Sequence, residues 1–283
     1  MCPPCYRAAV DLSLRAPPET DHEQASSAVR PPDAGPIAAW WLGRIEYRAA
    51  WSLQRRLAAA RAADRIGDQL LLLEHPAVLT LGRSSDPAHV LATPEELDRR
   101  GIEIVRVERG GEVTYHGPGQ LVAYPILALS RRGLLVRPLV RALEAAMIST
   151  CAAFGVTAGR RDGHPGCWVD PDASAPRKIG ALGLRVERGV SYHGIALNIA
   201  VDLADFELID PCGMPGVVST SVARELGRDD PPTTAIVRDA AGTFAPALLA
   251  GLGAGAAGAP TPIGFEAGTA RAALERLLAV AEA

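Results

Sequence analysis

The sequence predicts an α/β (α+β) protein. Short apolar or alternating runs recur along it: Leu70 to Leu73, Val78 to Leu81 and Ile102 to Val107 have the length and composition of strands. Between them lie longer stretches with helical spacing of apolar residues, one through Leu53 and Leu57 and another through Leu143 and Met147. No shift of composition divides residues 37–250, so one domain is expected there, with residues 1–36 and 251–283 as appendages.

Taken in order, residues 1–36 hold seven of the 23 prolines and no apolar period, which predicts a disordered or loosely attached extension. Cys2 and Cys5 form a Cys-x-x-Cys pair with no second pair nearby, so a metal site is not expected there. From Ile37 a globular pattern begins. Ile45, Ala49, Leu53, Leu57 and Ala60 predict an amphipathic helix. Thr93-Pro94-Glu95-Glu96 is helix-start chemistry, with Thr as N-cap and Pro in the first turn, and Gly101 ends that short helix.

Arg109-Gly110-Gly111 leads into Val113 to His116 and Leu121 to Leu129, which read as strands joined in a hairpin by the Gly117-Pro118-Gly119 turn. A helix is predicted from Pro138, with Leu143, Met147 and Cys151 on one face, closing near Gly155. Residues 162–176, rich in Gly, Pro and Asp, read as a loop. Lys178 to Val186 and Val190 to Ile199 form a second hairpin with Arg188-Gly189 at its tip. It carries Ser191-Tyr192-His193-Gly194, an echo of Thr114-Tyr115-His116-Gly117, and the two segments could face one another across a site. A helix around Ile236 to Leu252, an Ala/Gly/Pro linker from Gly251 to Pro262 and a final helix with Leu274, Leu277, Leu278 and Val280 complete the chain.

Composition narrows the class. With 48% hydrophobic and 22% charged residues, the chain can bury a sizeable core. Five irregularly spaced cysteines fit a reducing compartment better than a disulfide framework. There is no apolar run of membrane-spanning length and no secretory pattern at the start, so a cytoplasmic protein is expected. The net charge of −3 hides an asymmetry: residues 101–200 hold 12 basic against 8 acidic side chains. That region could be an ordinary solvated surface or a patch for acidic partners. An aromatic content of 5% speaks against a nucleic-acid module.

Two residues stand out chemically. Lys178 is the only lysine among 29 basic residues, and an amine can act as acid or base where a guanidinium cannot. Cys212 sits between Pro211 and Gly213, with no hydrophobic run to bury it. A neighbouring ammonium favours the thiolate, so Lys178 could activate Cys212 and shuttle its proton. Such a thiol can take an acyl group from a thioester and pass it to an amine without ATP. A chance lysine and an incidental thiol are the competing explanation. Arg109 could hold a carboxylate or phosphate by its fork. Phosphate-loop, dinucleotide and His-Glu-x-x-His motifs are absent, and no metal or cofactor is expected.

Four blocks, Arg109 to Gln120, Lys178-Ile-Gly-Ala-Leu-Gly-Leu-Arg185, Ser191-Tyr-His-Gly-Ile-Ala-Leu-Asn198 and Asp210-Pro-Cys-Gly213, resemble the octanoyltransferases that make lipoyl cofactor. These are also called lipoyl(octanoyl) transferases or lipoate-protein ligase B. Glu74-His75-Pro76 followed by Leu81-Gly82-Arg83 matches an earlier family segment, and the resemblance covers about residues 37–250. It implies the fold of the biotin/lipoate ligase catalytic domains, a mixed sheet flanked by helices. It implies transfer of octanoyl from octanoyl-acyl carrier protein to a lysine on lipoyl domains of 2-oxoacid dehydrogenase E2 subunits and on the glycine cleavage H protein. Both kinds of protein partner are acidic, which gives the basic middle region a reading.

Through the resemblance, Cys212 is the acyl-thioester nucleophile and Lys178 its partner. Arg109, Gly110, Gly111, Glu112, Val113, Thr114, Tyr115 and His116 fall on acyl-substrate-binding segments, as do Ala181, Leu182, Gly183, Gly194, Ile195 and Ala196. A monomer without nucleic-acid or membrane partners is expected. Residues 162–176 look long for the family, so the entrance to the site is expected to differ. Two alternatives remain at this level: an ATP-dependent lipoate or biotin ligase on the same fold, and a non-catalytic binder of acyl carrier or lipoyl domains.

Overall fold

Apolar strand runs need cover on both faces, and here helices supply it. A computed structural model describes residues 35–210, 216–228, 233–253, 275 and 277–279. Strand β1 (Ile37–Arg44) leads through helix α1 (Tyr47–Ala62) to β2 (Asp68–Glu74), which lies parallel to it. The chain then leaves this sheet to form β3 (Val78–Leu81), α2 (Pro94–Arg100), β4 (Glu103–Arg106) and β5 (Val113–His116). It returns with β6 (Gln120–Ile126), crosses over through α3 (Val136–Ala153), and adds β7 (Gly159–Arg161) and β8 (His164–Val169). The long hairpin β9 (Arg177–Glu187) and β10 (Val190–Asn198) follows, then β11 (Val218–Ser219), α4 (Val222–Glu225) and α5 (Thr234–Gly251).

The large sheet runs β1-β2-β6-β10-β9-β8-β7, with β11 parallel to the start of β9; the small one runs β4-β3-β5. Parallel β1–β2 and β9–β11 pairs among antiparallel neighbours make the large sheet mixed. On one face lie α3 and α5, packed through Leu143, Met147, Val237 and Phe244 onto Leu70, Leu121, Ile179 and Leu197. On the other lies α1, with Leu53 and Leu57 against Leu71, Val122 and Tyr124. Leu277, at a helical position, is buried in this second cluster.

Local chemistry accounts for several of these elements. Thr93 Oγ1 accepts from Glu96 N at 3.3 Å, Pro94 opens α2, and Gly101 closes it at φ 65°. Both hairpin strands β9 and β10, and their tip at Arg188-Gly189, lie where the sequence predicts them.

Three expectations need correction. The strands around Gly117-Pro118-Gly119 do not pair with each other: β5 pairs with β3 in the small sheet, whereas β6 pairs with β2 and β10 in the large one. The turn hands the chain from one sheet to the next. Residues 164–169 are strand rather than loop, and Cys167 and Trp168 are completely buried. An interrupted ladder beside β7 tolerates Pro165, and Gly166 is required because a Cβ there would lie 2.5 Å from Gly180 O. In α1 the buried stripe runs through Tyr47, Ala50, Leu53, Gln54 and Leu57, and Ala49 faces solvent. Residues 1–34 of the expected extension and most of the predicted C-terminal linker lie outside the described residues.

Candidate active site

The mouth between the two sheets is a narrow cleft. Its floor is the facing pair Ala181–Gly183 of β9 and Gly194–Ala196 of β10, in register Gly183 with Gly194 and Ala181 with Ala196. Small residues here let other backbone approach. A Cβ on Gly183 would lie 2.7 Å from Gly110 O, and one on Gly194 would lie 2.0 Å from Ala123 O. The roof is the segment from Arg109 to Thr114, and the walls are Tyr47, Tyr124, His116 and His193.

Most substrate-segment residues singled out in the sequence meet here: Arg109, Gly111, Glu112, Val113, Thr114 and His116 with the six floor residues. Gly110 stitches the roof to the floor, its N–H donating to Leu184 O at 3.0 Å. Tyr115 is the exception. Strand alternation turns it into the small-sheet core, where its hydroxyl donates to Asp205 Oδ2 at 2.6 Å. Arg109 is buried, and its guanidinium donates to Thr80 O at 2.6 Å, Thr80 Oγ1 at 2.9 Å and Gly110 O at 3.1 Å. Its fork thus fastens the roof to β3.

The two histidines reach the cleft by different routes. His116 arrives by alternation along β5, and its Nδ1 donates to Gln120 Oε1 at 2.7 Å. That proton assignment follows from Gln120, whose amide nitrogen donates to Tyr115 O and to Asn198 Oδ1 at 2.9 Å. Asn198 in turn donates to Thr220 O at 2.9 Å, and Thr220 N donates to Lys178 O at 2.9 Å. A bonded chain therefore ties His116 to the Lys178 end of the floor.

His193 sits in β10 at φ 54°, in the left-handed region, a conformation costing on the order of 1 kcal/mol or more for a non-glycine residue. Consecutive strand residues point to opposite faces. Here Tyr192 and His193 instead stack, ring centroids 5.1 Å apart, because the twisted backbone brings both to the α1 face. Gln54 Oε1 takes the His193 N–H at 2.8 Å. Both ring nitrogens of His193 are buried without a hydrogen-bond partner, and Glu108 Oε1 lies 4.0 Å from Nε2.

Tyr47 stacks on His116 at 5.8 Å and meets His75 edge-on at 5.0 Å. His75 Nδ1 donates to Ile45 O at 2.6 Å, so its Nε2 accepts from the Tyr124 hydroxyl at 2.8 Å. Burial keeps all these rings uncharged. It lowers His75 and His193 to about 4 and His116 well below its usual range, and it pushes the Tyr47 and Tyr124 hydroxyls upward. The result is a largely apolar cleft whose aromatic and imidazole walls are uncharged.

Lys178 lies three residues before the floor, buried on β9. Its Nζ is 5.2 Å from the centroid of the Trp168 ring, the cross-strand partner of Lys178. The strand β11, six positions beyond Cys212, pairs Ser219 with Lys178. Cys212 itself lies outside the described residues. Among the described residues no cluster of His, Cys, Asp and Glu could hold a metal ion, and no helix is long and apolar enough to cross a membrane.

The model of the lipoyl protein ligase A/B catalytic domain matches residues 46–243. The octanoyltransferase of Chloroflexus aggregans is 50% identical over 196 residues, covering 69% of this chain and 87% of the relative. That of Burkholderia pseudomallei is 40% identical over 245 residues, covering 87% and 95%. The chain belongs to the lipoyl protein ligase A/B family and, within it, to the octanoyltransferases. Solved structures share the fold at much lower identity. A bi-partite lipoate protein ligase from Thermoplasma acidophilum superposes with TM-score 0.54 at 14% identity, covering 87% of this chain and 92% of that one. A lipoate-protein ligase A bound with ATP gives 0.52 at 14%, covering 87% and 94%.

Several wall residues of this family member escaped sequence reasoning. Tyr47 and Tyr124 sit in apolar helix or strand patterns, and only their contacts with His116 and His75 reveal them as cleft walls, while Gln54 stands behind them as acceptor of the His193 N–H. The buried neutral histidines also have a consequence for stability. His75 and His193 titrate near 4 when folded and near 6.5 in an open chain, so below 6.5 the unfolded state binds more protons. Their contribution is fully present above pH 6.5 and is lost as the pH falls towards 4. Each is worth at most about 3.5 kcal/mol over that window, from ~1.4 kcal/mol per unit. Thermal unfolding at pH 7, 6 and 5 is expected to show Tm falling already between 7 and 5, before carboxylates protonate; a flat Tm there would contradict it.

Proposed function

We propose that this protein transfers octanoyl to lipoyl-domain acceptor proteins, the first step of making lipoyl cofactor in place. The observation that carries this is identity of 40–51% to octanoyltransferases across 80–95% of their length. The largely apolar lining of the cleft supports it. Along β9, the three steps from Ala181 to Leu184 span ~10 Å at ~3.3 Å per residue. An extended octanoyl group, built from ~1.5 Å bonds, has a similar length.

In the mechanism we propose, the thiolate of Cys212 attacks the carbonyl of octanoyl-acyl carrier protein. The carrier thiol leaves with a proton from Lys178, and octanoyl stays on Cys212 as a thioester. The acceptor lysine, on an E2 lipoyl domain or the glycine cleavage H protein, then attacks as a free amine. Lys178 takes its proton while Cys212 departs, leaving an amide. Thioester-to-thioester exchange is near balance and the final step is downhill, so neither ATP nor a cofactor is needed. The cleft from Ala181 to His193 holds the acyl chain, and the reaction takes place in the cytoplasm on a monomer.

The test combines pure protein, octanoyl-acyl carrier protein and an unmodified lipoyl domain, with acceptor mass as readout. Octanoylated acceptor is expected without ATP. Product formed only from free octanoate or lipoate with ATP and magnesium would replace the reading with an ATP-dependent ligase, and binding of both partners without turnover would replace it with a binder.

A further inference from the structure

We propose that His193 is the end stop of the acyl cleft and the residue that limits acyl length. This rests on the reading that the cleft holds the acyl chain. His193 is the register partner of Leu184, and Leu184 O is where Gly110 closes roof onto floor at 3.0 Å. The cleft therefore ends at the level of this imidazole, at the opposite end of the floor from Lys178.

Behind the imidazole lies a second space. An open groove runs along α1 and is lined by Trp51, Ala58, Arg188 and Tyr192. His193 stands between the two: it lines the cleft on one side and stacks on Tyr192 of the groove on the other. Glu108 completes the partition, 4.0 Å from His193 Nε2 and accepting from Trp51 Nε1 at 3.1 Å. Without the ring, only Tyr192 and Glu108 would stand between cleft and groove.

The stop acts by bulk: the imidazole is buried and fills the space that further methylenes would need. A chain that ends short of the ring fits. One with further methylenes must displace the ring or bend away. His193 at 2% exposure, held by its stacked neighbour and by the Gln54 bond to its N–H, has little freedom to move aside.

The experiment compares kcat/KM for octanoyl-, decanoyl- and dodecanoyl-acyl carrier protein with a lipoyl domain as acceptor. In His193→Ala the dodecanoyl-to-octanoyl ratio is expected to rise at least about tenfold, since even two newly buried methylenes at about 0.8 kcal/mol each are worth that. His193→Phe, which keeps the plug, should hold the ratio near that of the unaltered protein. Glu108→Ala removes the outer part of the partition at a partly exposed position, so it keeps the question answerable if His193→Ala does not fold; its ratio should rise in the same direction. Unchanged ratios in folded His193→Ala and Glu108→Ala would overturn the proposal while leaving octanoyl transfer standing. Ala181→Leu separates the underlying reading. It fills the cleft floor and should depress transfer at every chain length, and full activity there would place the acyl chain elsewhere.

Discussion

Cys212→Ala is expected to abolish the covalent acyl-enzyme and to lower transfer on the order of 10⁴-fold or more, the scale seen when a nucleophile is removed from a catalytic unit. The reason is chemical. Aminolysis of the carrier thioester by the acceptor lysine alone would require two large proteins and an unactivated amine to meet in one step. The cysteine divides that into two attacks on a thioester, each within a fixed site. Mixing with octanoyl-acyl carrier protein and measuring intact mass reads the intermediate directly. The unaltered chain should gain one octanoyl group and Cys212→Ala none. Cys151 and Cys167 serve as internal controls, since both are completely buried in the core under α3 and β8. Full labelling of Cys212→Ala would refute Cys212 as nucleophile. Cys212→Ser should label slowly and then stall, because an ester releases its acyl group to an amine far less readily than a thioester does.

Elements with local signals were legible in the sequence. Helix α2 announces itself by Thr93, Pro94 and Gly101, each of which acts through atoms within a few residues. The β9–β10 hairpin is similar, since its register follows from a tight tip at Arg188-Gly189. What failed was partner choice. Gly117-Pro118-Gly119 is a genuine turn, yet β5 pairs its His116 with Val78, across a long separation that no local rule specifies. Strand β8 was hidden by Pro165 and Gly166, whose usual meaning is loop. Gly166 is in fact there for close approach to Gly180 O.

The site shows the same division. Both Ser/Thr-Tyr-His-Gly segments deliver a histidine to one cleft, as their resemblance suggested, and in both the tyrosine hydroxyl bonds to an acidic side chain, Asp205 or Glu187. The sequence could not tell that His193 needs a left-handed backbone to get there. Nor could it tell that Arg109 fastens the roof to Thr80, because an arginine beside two glycines looks the same whether it grips a ligand or its own chain. Glu108 and Trp51 carry no motif at all; their meaning comes only from standing next to His193.

Lys178→Arg is expected to lose activity as far as Lys178→Ala, by about 10²–10⁴-fold, the usual contribution of a positioned acid–base group. The surroundings of Lys178 make this substitution informative. The ammonium packs over Trp168, and an aromatic face accepts a guanidinium at least as well, so the arginine keeps its positive charge near the same place. The strand beneath is also well held. Gly166 N donates to buried Glu144 at 3.2 Å, and Arg160 Nε binds the same carboxylate at 3.0 Å. Thr220 secures the backbone of Lys178 from the other side. Loss of activity in a folded arginine variant then reports the missing proton exchange rather than missing charge. Equal Tm for the three proteins excludes a structural cause, and rescue of Lys178→Ala by an added small amine would identify the missing group as a base. If Lys178→Arg instead keeps a tenth or more of the activity, the lysine acts by stabilising thiolate alone, and the leaving carrier thiol must draw its proton from water.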